Sequence, residues 1–198
     1  MFKDKKVSEF LDQLASDSPT PGGGTVAALS ASLAASLVSM VASLSVGKKR
    51  YMEYDTLYNE VIEKMKDYSG KFQTMMDGDA AAFDGVMNAF GLPKNTPEEK
   101  AERTEAIQKS LKTATESPFH TAENVVIVAQ YAREMVKFGN KKAVSDASCA
   151  LELCRAAFNM AMENVDINID SIKDETFCEE MKGKCVELKQ KLDVYLQA

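Results

Sequence analysis

One carboxylate, that of Asp79, lies where a helix of this 198-residue chain is expected to be apolar. It follows Phe72 by seven residues and precedes Phe83 by four, so an α-helix would place all three side chains on one face. A carboxylate on a buried face costs stability unless it has a partner, and burial raises its pKa toward the range of acid/base catalysis. Asp79 is therefore a candidate general acid or base. The alternative is a structural aspartate that is bonded to a serine or a backbone amide of a neighbouring helix.

Three consecutive glycines, Gly22, Gly23 and Gly24, precede a run from Val26 to Val46 that has no charged side chain. Without Cβ atoms these residues let the main chain approach a ligand or another helix closely. The free amides at the start of the following helix would favour an anion. The run has neither the GxGxxG spacing of a dinucleotide site nor the GK[ST] ending of a phosphate loop. It predicts either a close backbone approach to a ligand or a flexible entry into a helix.

Four further polar residues lie at predicted helix ends, and the cations of loop 139–142 could meet an anionic ligand. Lys48 and Lys49 follow the uncharged run, where cations also suit a helix C-terminus. Asn140 closes a predicted helix, and Asp146 begins the next one, where the helix dipole alone favours an acid. His120 is the only histidine, and we expect it at the surface rather than in a reaction.

The cysteines do not predict a metal site. They are Cys149, Cys154, Cys178 and Cys185. None of them forms a CxxC pair and the only histidine is distant in sequence, so zinc is not expected. Small reduced thiols and the lack of an apolar signal core near the N-terminus predict a cytoplasmic protein.

The net charge of −6 and the lack of a basic stripe argue against nucleic acid as a partner. The uncharged residues 25–46 are long enough to suggest a membrane span. However, six serines within them would make a poor lipid-facing surface, so we expect a central helix of the core and no membrane partner.

Helical periodicity recurs along the chain, and strand-like alternation of any length does not. We predict an all-α fold, a single-domain helical bundle of residues 1–198 around the central Ala/Ser-rich helix. The predicted helices cover residues 7–15, 25–46, 57–90, 97–117, 121–138, 145–164 and 174–196. Glycines at 70 and 78 would allow an interruption of the third, and Thr96 with Glu99 forms a capping box at the start of the fourth. Small residues along the central helix would let a helix of this chain, or the same helix of a second subunit, pack closely.

Five segments carry a family resemblance because they occur together in one order. They are residues 21–28 (PGGGTVAA), 77–83 (DGDAAAF), 92–100 (LPKNTPEEK), 139–146 (GNKKAVSD) and 164–168 (NVDIN). Together they resemble the formiminotetrahydrofolate cyclodeaminase/methenyltetrahydrofolate cyclohydrolase family, over nearly the whole chain.

The resemblance implies an all-helical homodimer with a folate cleft near the subunit interface and no metal or redox cofactor. The family's catalytic aspartate corresponds to Asp79. The implied folate contacts are Gly22, Gly23, Gly24, Lys48, Lys49, Asn140 and Asp146. Residues 77–79 and 92–100 are most similar to the branch that closes 5-formiminotetrahydrofolate to 5,10-methenyltetrahydrofolate and releases ammonia. The alternatives are the cyclohydrolase, which opens the methenyl bridge to 10-formyltetrahydrofolate, and a non-catalytic dimeric helical folate-binding module.

Overall fold

The computed structural model describes residues 1–197. This part of the chain contains six α-helices and three short 3₁₀ helices, and it contains no β-strand. The α-helices are α1 (Val7–Leu14), α2 (Gly23–Ser43), α3 (Asp55–Phe90), α4 (Pro97–Phe138), α5 (Val144–Ile169) and α6 (Glu175–Leu196). The prediction of an all-α bundle is confirmed.

The Ala/Ser-rich helix α2 lies at the centre of the bundle and packs against α3, α4 and α5. Its inward face is built from small side chains, and Ala27, Ala31 and Ala34 have no exposed surface. Small residues let neighbouring backbones approach: the Ser32 hydroxyl donates to the backbone oxygen of Ser69 on α3, 3.1 Å away. The prediction of a central, closely packed helix is confirmed for this inward face.

By length and composition alone, α2 is apolar enough to cross a membrane, with a mean hydropathy of 1.8. A core helix of a bundle passes the same test, and 56% of the apolar window of α2 is buried against its neighbours. Part of its apolar surface is nevertheless exposed, at Leu33 and Met40 and at the C-cap residue Leu44.

Helix α4 continues through Pro118, so the predicted boundary between a helix ending at residue 117 and another beginning at 121 is wrong. Proline lacks a backbone N–H, and the carbonyl of Ala114, four residues earlier, therefore loses its intrahelical partner. The side chain of Asn168 on α5 replaces that partner, because its Nδ2 donates to the Ala114 oxygen at 2.9 Å. His120 consequently lies within a continuous helix rather than at a helix start.

Other helix bounds differ from the expectations by a few residues. Helix α3 is uninterrupted, since Gly70 and Gly78 both lie in open space on its surface. Helix α2 begins at Gly23, so two glycines belong to its first turn. Helix α5 extends to Ile169, beyond the predicted end at 164. The last two differences bring additional residues to the site described below.

The N-terminus of α4 has the predicted capping box. The Thr96 hydroxyl accepts a hydrogen bond from the Glu99 amide at 3.2 Å, and the Glu99 carboxylate accepts one from the Thr96 amide at 3.3 Å. This reciprocal pair satisfies two amides that the helix geometry leaves without partners.

Candidate functional site

Asp79 lies in a cavity of about 420 Å³ that is formed by four helices. The N-terminus of α2, the middle of α3, α4 at Ala114 and the last turns of α5 form its walls. The polar lining side chains are those of Thr20, Asp79, Asn164, Asn168 and Ser171, and the large apolar ones are those of Phe83, Val86 and Ile167. Mostly apolar walls with a few convergent polar groups are typical of small-molecule sites of this volume.

The Asp79 carboxyl is held against the first turn of α2. Its Oδ2 accepts a hydrogen bond of 2.8 Å from the Thr25 hydroxyl, and the Thr25 backbone amide also interacts with it. Burial raises the pKa of Asp79 above its ordinary value, and the two interactions with Thr25 oppose that rise only in part. The carboxyl is half-buried, and the rise of its pKa is in the direction that acid/base catalysis requires.

Two glycines of α2 make room for polar side chains of the cavity. A Cβ on Gly24 would overlap the Asp79 carboxyl, with the Asp79 Cγ only 2.7 Å away. A Cβ on Gly23 would lie 3.1 Å from Nδ2 of Asn164. The close backbone approach expected of the glycine run is therefore made to the side chains of the site, and its approach to a ligand stays a prediction.

The N-terminus of α2 opens toward the cavity without a side-chain cap. Gly22 occupies the N-cap position and has no side chain to offer, and the amides of Gly23 and Gly24 have no carbonyl partner within the helix. These amides and the helix dipole create a positive potential, which favours the anionic form of a nearby carboxyl or ligand. Asp79 therefore sits where burial favours the neutral carboxyl and the helix terminus favours the anion.

The remaining predicted contact residues lie at the opposite end of the bundle. Helix α2 has 21 residues, so its two ends are about 30 Å apart. Lys48 and Lys49 are exposed beyond its C-terminal end, and Asp146 is half-buried in the first turn of α5. Asn140 is buried there, and its backbone N–H donates a hydrogen bond to the Ser45 hydroxyl at 2.8 Å. Within one chain none of these four residues reaches the cavity, and their role in folate binding stays a prediction.

His120 lies in a shallow groove next to the cavity rather than in the cavity itself. Its Nδ1 is 2.7 Å from the Glu123 carboxylate, and both side chains are exposed. Over residues 1–197, no group of three or more His, Cys, Asp and Glu side chains is placed to hold a metal ion.

Sequence reasoning missed two lining residues of α5, Asn164 and Asn168. They are four residues apart, so they lie on the same face of the helix. The signal was present, because Val165 and Ile169 continue the helical period as buried neighbours past the predicted helix end.

The chain matches the family model described as formiminotransferase-cyclodeaminase over residues 6–187. It is 42% identical to a methenyltetrahydrofolate cyclohydrolase of Methylorubrum extorquens over 180 residues, which cover 91% of this chain and 86% of that protein. It is 36% identical to the formimidoyltransferase-cyclodeaminase of Gallus gallus over 87% of this chain, but this match covers only 32% of the avian protein.

The fold is also that of a solved relative. A formiminotetrahydrofolate cyclodeaminase from Thermotoga maritima superposes with a TM-score of 0.90 at 30% sequence identity. The match covers 100% of this chain and 94% of the other. The similarity therefore extends to the whole bundle, including every helix that lines the cavity.

Proposed function

The chain belongs to the formiminotransferase-cyclodeaminase family, and from that premise we propose that it acts on the one-carbon bridge of tetrahydrofolate, with Asp79 as the catalytic acid/base. The reaction that we propose first is the cyclodeaminase reaction, in which 5-formiminotetrahydrofolate is converted to 5,10-methenyltetrahydrofolate and ammonia. The observation that carries the proposal is the single ionisable side chain in the cavity, held by Thr25 at the terminus of α2.

A carboxyl with a raised pKa suits both proton transfers of this reaction. The substrate reacts as its formiminium cation, N5–CH=NH2⁺. N10 attacks the formimino carbon and loses its proton to the Asp79 carboxylate, and this step forms the N10–C bond and a neutral tetrahedral carbon that bears an NH2 group. Asp79 then returns the proton to the formimino nitrogen, the bond from carbon to that nitrogen breaks, and ammonia leaves. The product is a cation, which the regenerated Asp79 carboxylate stabilises.

The second candidate is the cyclohydrolase, which is favoured by the 42% identity to a protein of that name over most of both chains. In this reaction water attacks the methenyl carbon and Asp79 accepts the proton of the water. Asp79 then gives this proton to N5 as the bond between N5 and carbon breaks, the remaining hydroxyl proton is released to solvent as the formyl C=O forms, and 10-formyltetrahydrofolate is the product. Both reactions pass through a tetrahedral carbon beside one carboxyl, so the same geometry serves either.

The cavity walls support a flat heterocyclic substrate. Phe83, Val86 and Ile167 supply apolar surface for a ring, and Asp79 with the α5 asparagines supplies polar groups. Ile167 is 69% exposed, which leaves apolar area at the cavity mouth for a ligand to cover.

The assignment is tested by supplying the purified chain separately with 5-formiminotetrahydrofolate and with 5,10-methenyltetrahydrofolate. The near-ultraviolet absorbance of the methenyl group should rise with the first substrate if the chain is a cyclodeaminase. It should fall faster than the spontaneous rate with the second substrate if the chain is a cyclohydrolase. Binding of both folates without turnover of either would favour the non-catalytic module.

We also propose that the chain forms a homodimer through the exposed face of α2. Leu33 is 50%, Met40 39% and Leu44 43% exposed, and the exposed Ser36 between them is small enough for a close helix contact. No residue of α2 is charged, so two copies of this face meet without like-charge repulsion. A two-fold axis pairs such a surface with itself, which makes a second copy of this chain its natural partner.

Leu33→Glu is expected to shift the chain from dimer to monomer, because it buries a charge without a partner at the centre of the contact. The matched control is Val194→Glu on α6, which changes an apolar side chain that is 70% exposed and lies outside α2. Light scattering over a range of concentrations measures both variants. Equal masses for Leu33→Glu and the wild type would exclude α2 as the interface.

An antiparallel pairing of α2 would bring the C-terminal end of this helix in one subunit beside the cavity of the other. Such an arrangement would let Lys48 and Lys49 contact folate, although within one chain they are at the far end of the helix. Mixed dimers test it, since a subunit with Asp79→Asn and a subunit with Lys48→Glu and Lys49→Glu would together form one intact site.

Randomly mixed subunits are expected to recover roughly a quarter of the wild-type activity, because half of the dimers are hybrids and each hybrid has one intact site of two. Each parent variant alone is expected to be impaired. If both parent variants have low activity and their mixture is no more active, the lysines of one subunit do not complete the site of the other. A fully active lysine variant would remove them from folate binding.

A further inference from the structure

The backbone break that Pro118 creates in α4 lies at the wall of the cavity. The carbonyl of Ala114, which proline leaves without its helical partner, belongs to a residue that lines the cavity. Asn168 lines the same wall from α5 and donates its Nδ2 to that carbonyl at 2.9 Å. A sequence feature of one helix thus determines where a side chain of another helix is bonded.

This bond fixes which end of the Asn168 amide faces the ligand space. A carbonyl oxygen can only accept, so the amide nitrogen must be the atom that faces Ala114, and Oδ1 must point elsewhere. Asn164 is oriented in the same way, because its Nδ2 donates to the Met160 oxygen at 2.8 Å. Among residues 1–197 no group donates a hydrogen bond to Oδ1 of either asparagine, and neither oxygen is sealed from solvent.

We propose that Pro118 is a positioning residue that acts through Asn168, and that Asn168 Oδ1 accepts a hydrogen bond from the N–H edge of a reduced pteridine ring. The inference rests on the proposed function, because the pteridine is the part of the substrate that it assigns. The ring carries N–H donors at N3, at the 2-amino group and at N8, and the α5 wall offers two oriented acceptors four residues apart.

The assignment divides the cavity into two parts with different tasks. Asp79 lies on α3 against the first turn of α2, where the one-carbon unit would react. The asparagine wall is contributed by α5, and its neutral acceptors would bind a ring that substrate and product share. Loss of Asn168 should therefore weaken ground-state binding and transition-state binding alike, so that KM rises while kcat stays nearly constant.

The test measures anaerobic binding of tetrahydrofolate, which has the ring but no one-carbon unit to react. Asn168→Ala is expected to raise the Kd about tenfold, the effect of losing one neutral hydrogen bond. Pro118→Ala supplies an N–H that competes for the Ala114 carbonyl, so it should also weaken binding while its thermal stability stays at or above that of the wild type. The double variant should bind no more weakly than Asn168→Ala alone, because both changes act on one hydrogen bond.

Asn159→Ala is the matched control, since Asn159 is an exposed asparagine of the same helix outside the cavity. It should bind tetrahydrofolate like the wild type. If the two losses of tetrahydrofolate affinity multiply in the double variant, Pro118 does not act through Asn168, and its positioning role is overturned. Wild-type binding by Asn168→Ala would overturn the whole inference, and this outcome is readable even if Pro118→Ala fails to fold.

The binding measurement also separates this inference from the proposed reaction. If neither one-carbon folate is turned over but Asn168→Ala still weakens binding of tetrahydrofolate, the reaction is wrong and the ring assignment stands. If turnover is found and Asn168→Ala leaves both Kd and KM unchanged, the reaction stands and the ring assignment is wrong. Failure of the wild-type chain to bind tetrahydrofolate at all would overturn the inference.

Discussion

Asp79→Asn is expected to lower turnover by about 10²–10⁴-fold while the bundle stays folded, which is the effect of losing one general acid/base group. The amide has nearly the volume of the carboxyl, and its oxygen can still accept the hydrogen bond from the Thr25 hydroxyl. The amide cannot take up the proton of the attacking nucleophile. The measurement is steady-state turnover of both one-carbon folates, with tetrahydrofolate affinity determined in parallel.

Asp84→Asn is the matched control, because Asp84 is an exposed carboxylate of the same helix, five residues further along. Its turnover should equal that of the wild type. Turnover by Asp79→Asn within a fewfold of the wild type would remove Asp79 from the chemistry. The cavity would then serve binding alone, as in the non-catalytic module.

The stability of Asp79→Asn distinguishes a catalytic from a structural carboxyl. Burial raises the folded-state pKa of Asp79, so this group favours folding most strongly below its unfolded pKa, and that contribution is lost as the pH rises through the folded pKa. At neutral pH the variant should therefore be at least as stable as the wild type in urea denaturation. At a pH below the ordinary aspartate pKa, the wild type should gain free energy of unfolding relative to the variant. A variant that is clearly less stable at neutral pH would mark Asp79 as a structural residue.

Helical periodicity was sufficient to find the part of the site that depends on local pattern. The position of Asp79 on an apolar face follows from its spacing to Phe72 and Phe83, and the glycine run indicates close approach without naming the partner. These inferences need only the geometry of single helices. The fold class followed from the same signal repeated along the chain.

The parts that sequence reasoning missed depend on contacts between distant residues. From local sequence, Pro118 predicts the end of a helix. The helix continues because Asn168, 54 residues from Ala114, donates to the carbonyl that the proline leaves free, and local sequence does not indicate this contact. The end of the bundle at which Lys48, Lys49 and Asn140 lie also depends on helix directions in the assembled fold. For Lys48 and Lys49 alone the sequence implies the distance, because the single helix between them and the glycine run is about 30 Å long.

Gly24→Ala is expected to lower turnover by about 10²-fold, because a reacting group displaced by about 1 Å loses that much rate. The new Cβ would overlap the Asp79 carboxyl, with Cγ at 2.7 Å and Oδ2 at 2.9 Å, so either the carboxyl or the first turn of α2 must move. Helix content should change little, since alanine is the better helix former. Circular dichroism and steady-state kinetics measure the two effects separately.

Two glycine variants give this prediction a graded control. In Gly23→Ala the new Cβ lies 3.1 Å from Asn164 Nδ2, a contact that a small shift relieves, so the loss of turnover should be smaller. Gly70→Ala on α3 has no neighbour within 4 Å, and it should keep full turnover while gaining up to about 1 kcal/mol of helix stability. If Gly24→Ala and Gly70→Ala were equally active, the packing of Asp79 on α2 would not matter for turnover.

The combination of Gly24→Ala with Asp79→Asn shows whether the glycine acts through the carboxyl. If the added methyl group impairs turnover only by displacing Asp79, it has nothing left to impair once the carboxyl is gone. The double variant should then turn over folate at the rate of Asp79→Asn alone, rather than at a rate reduced by both factors. A further loss in the double variant would show that Gly24 also contributes independently of Asp79, through the open amides at the α2 terminus.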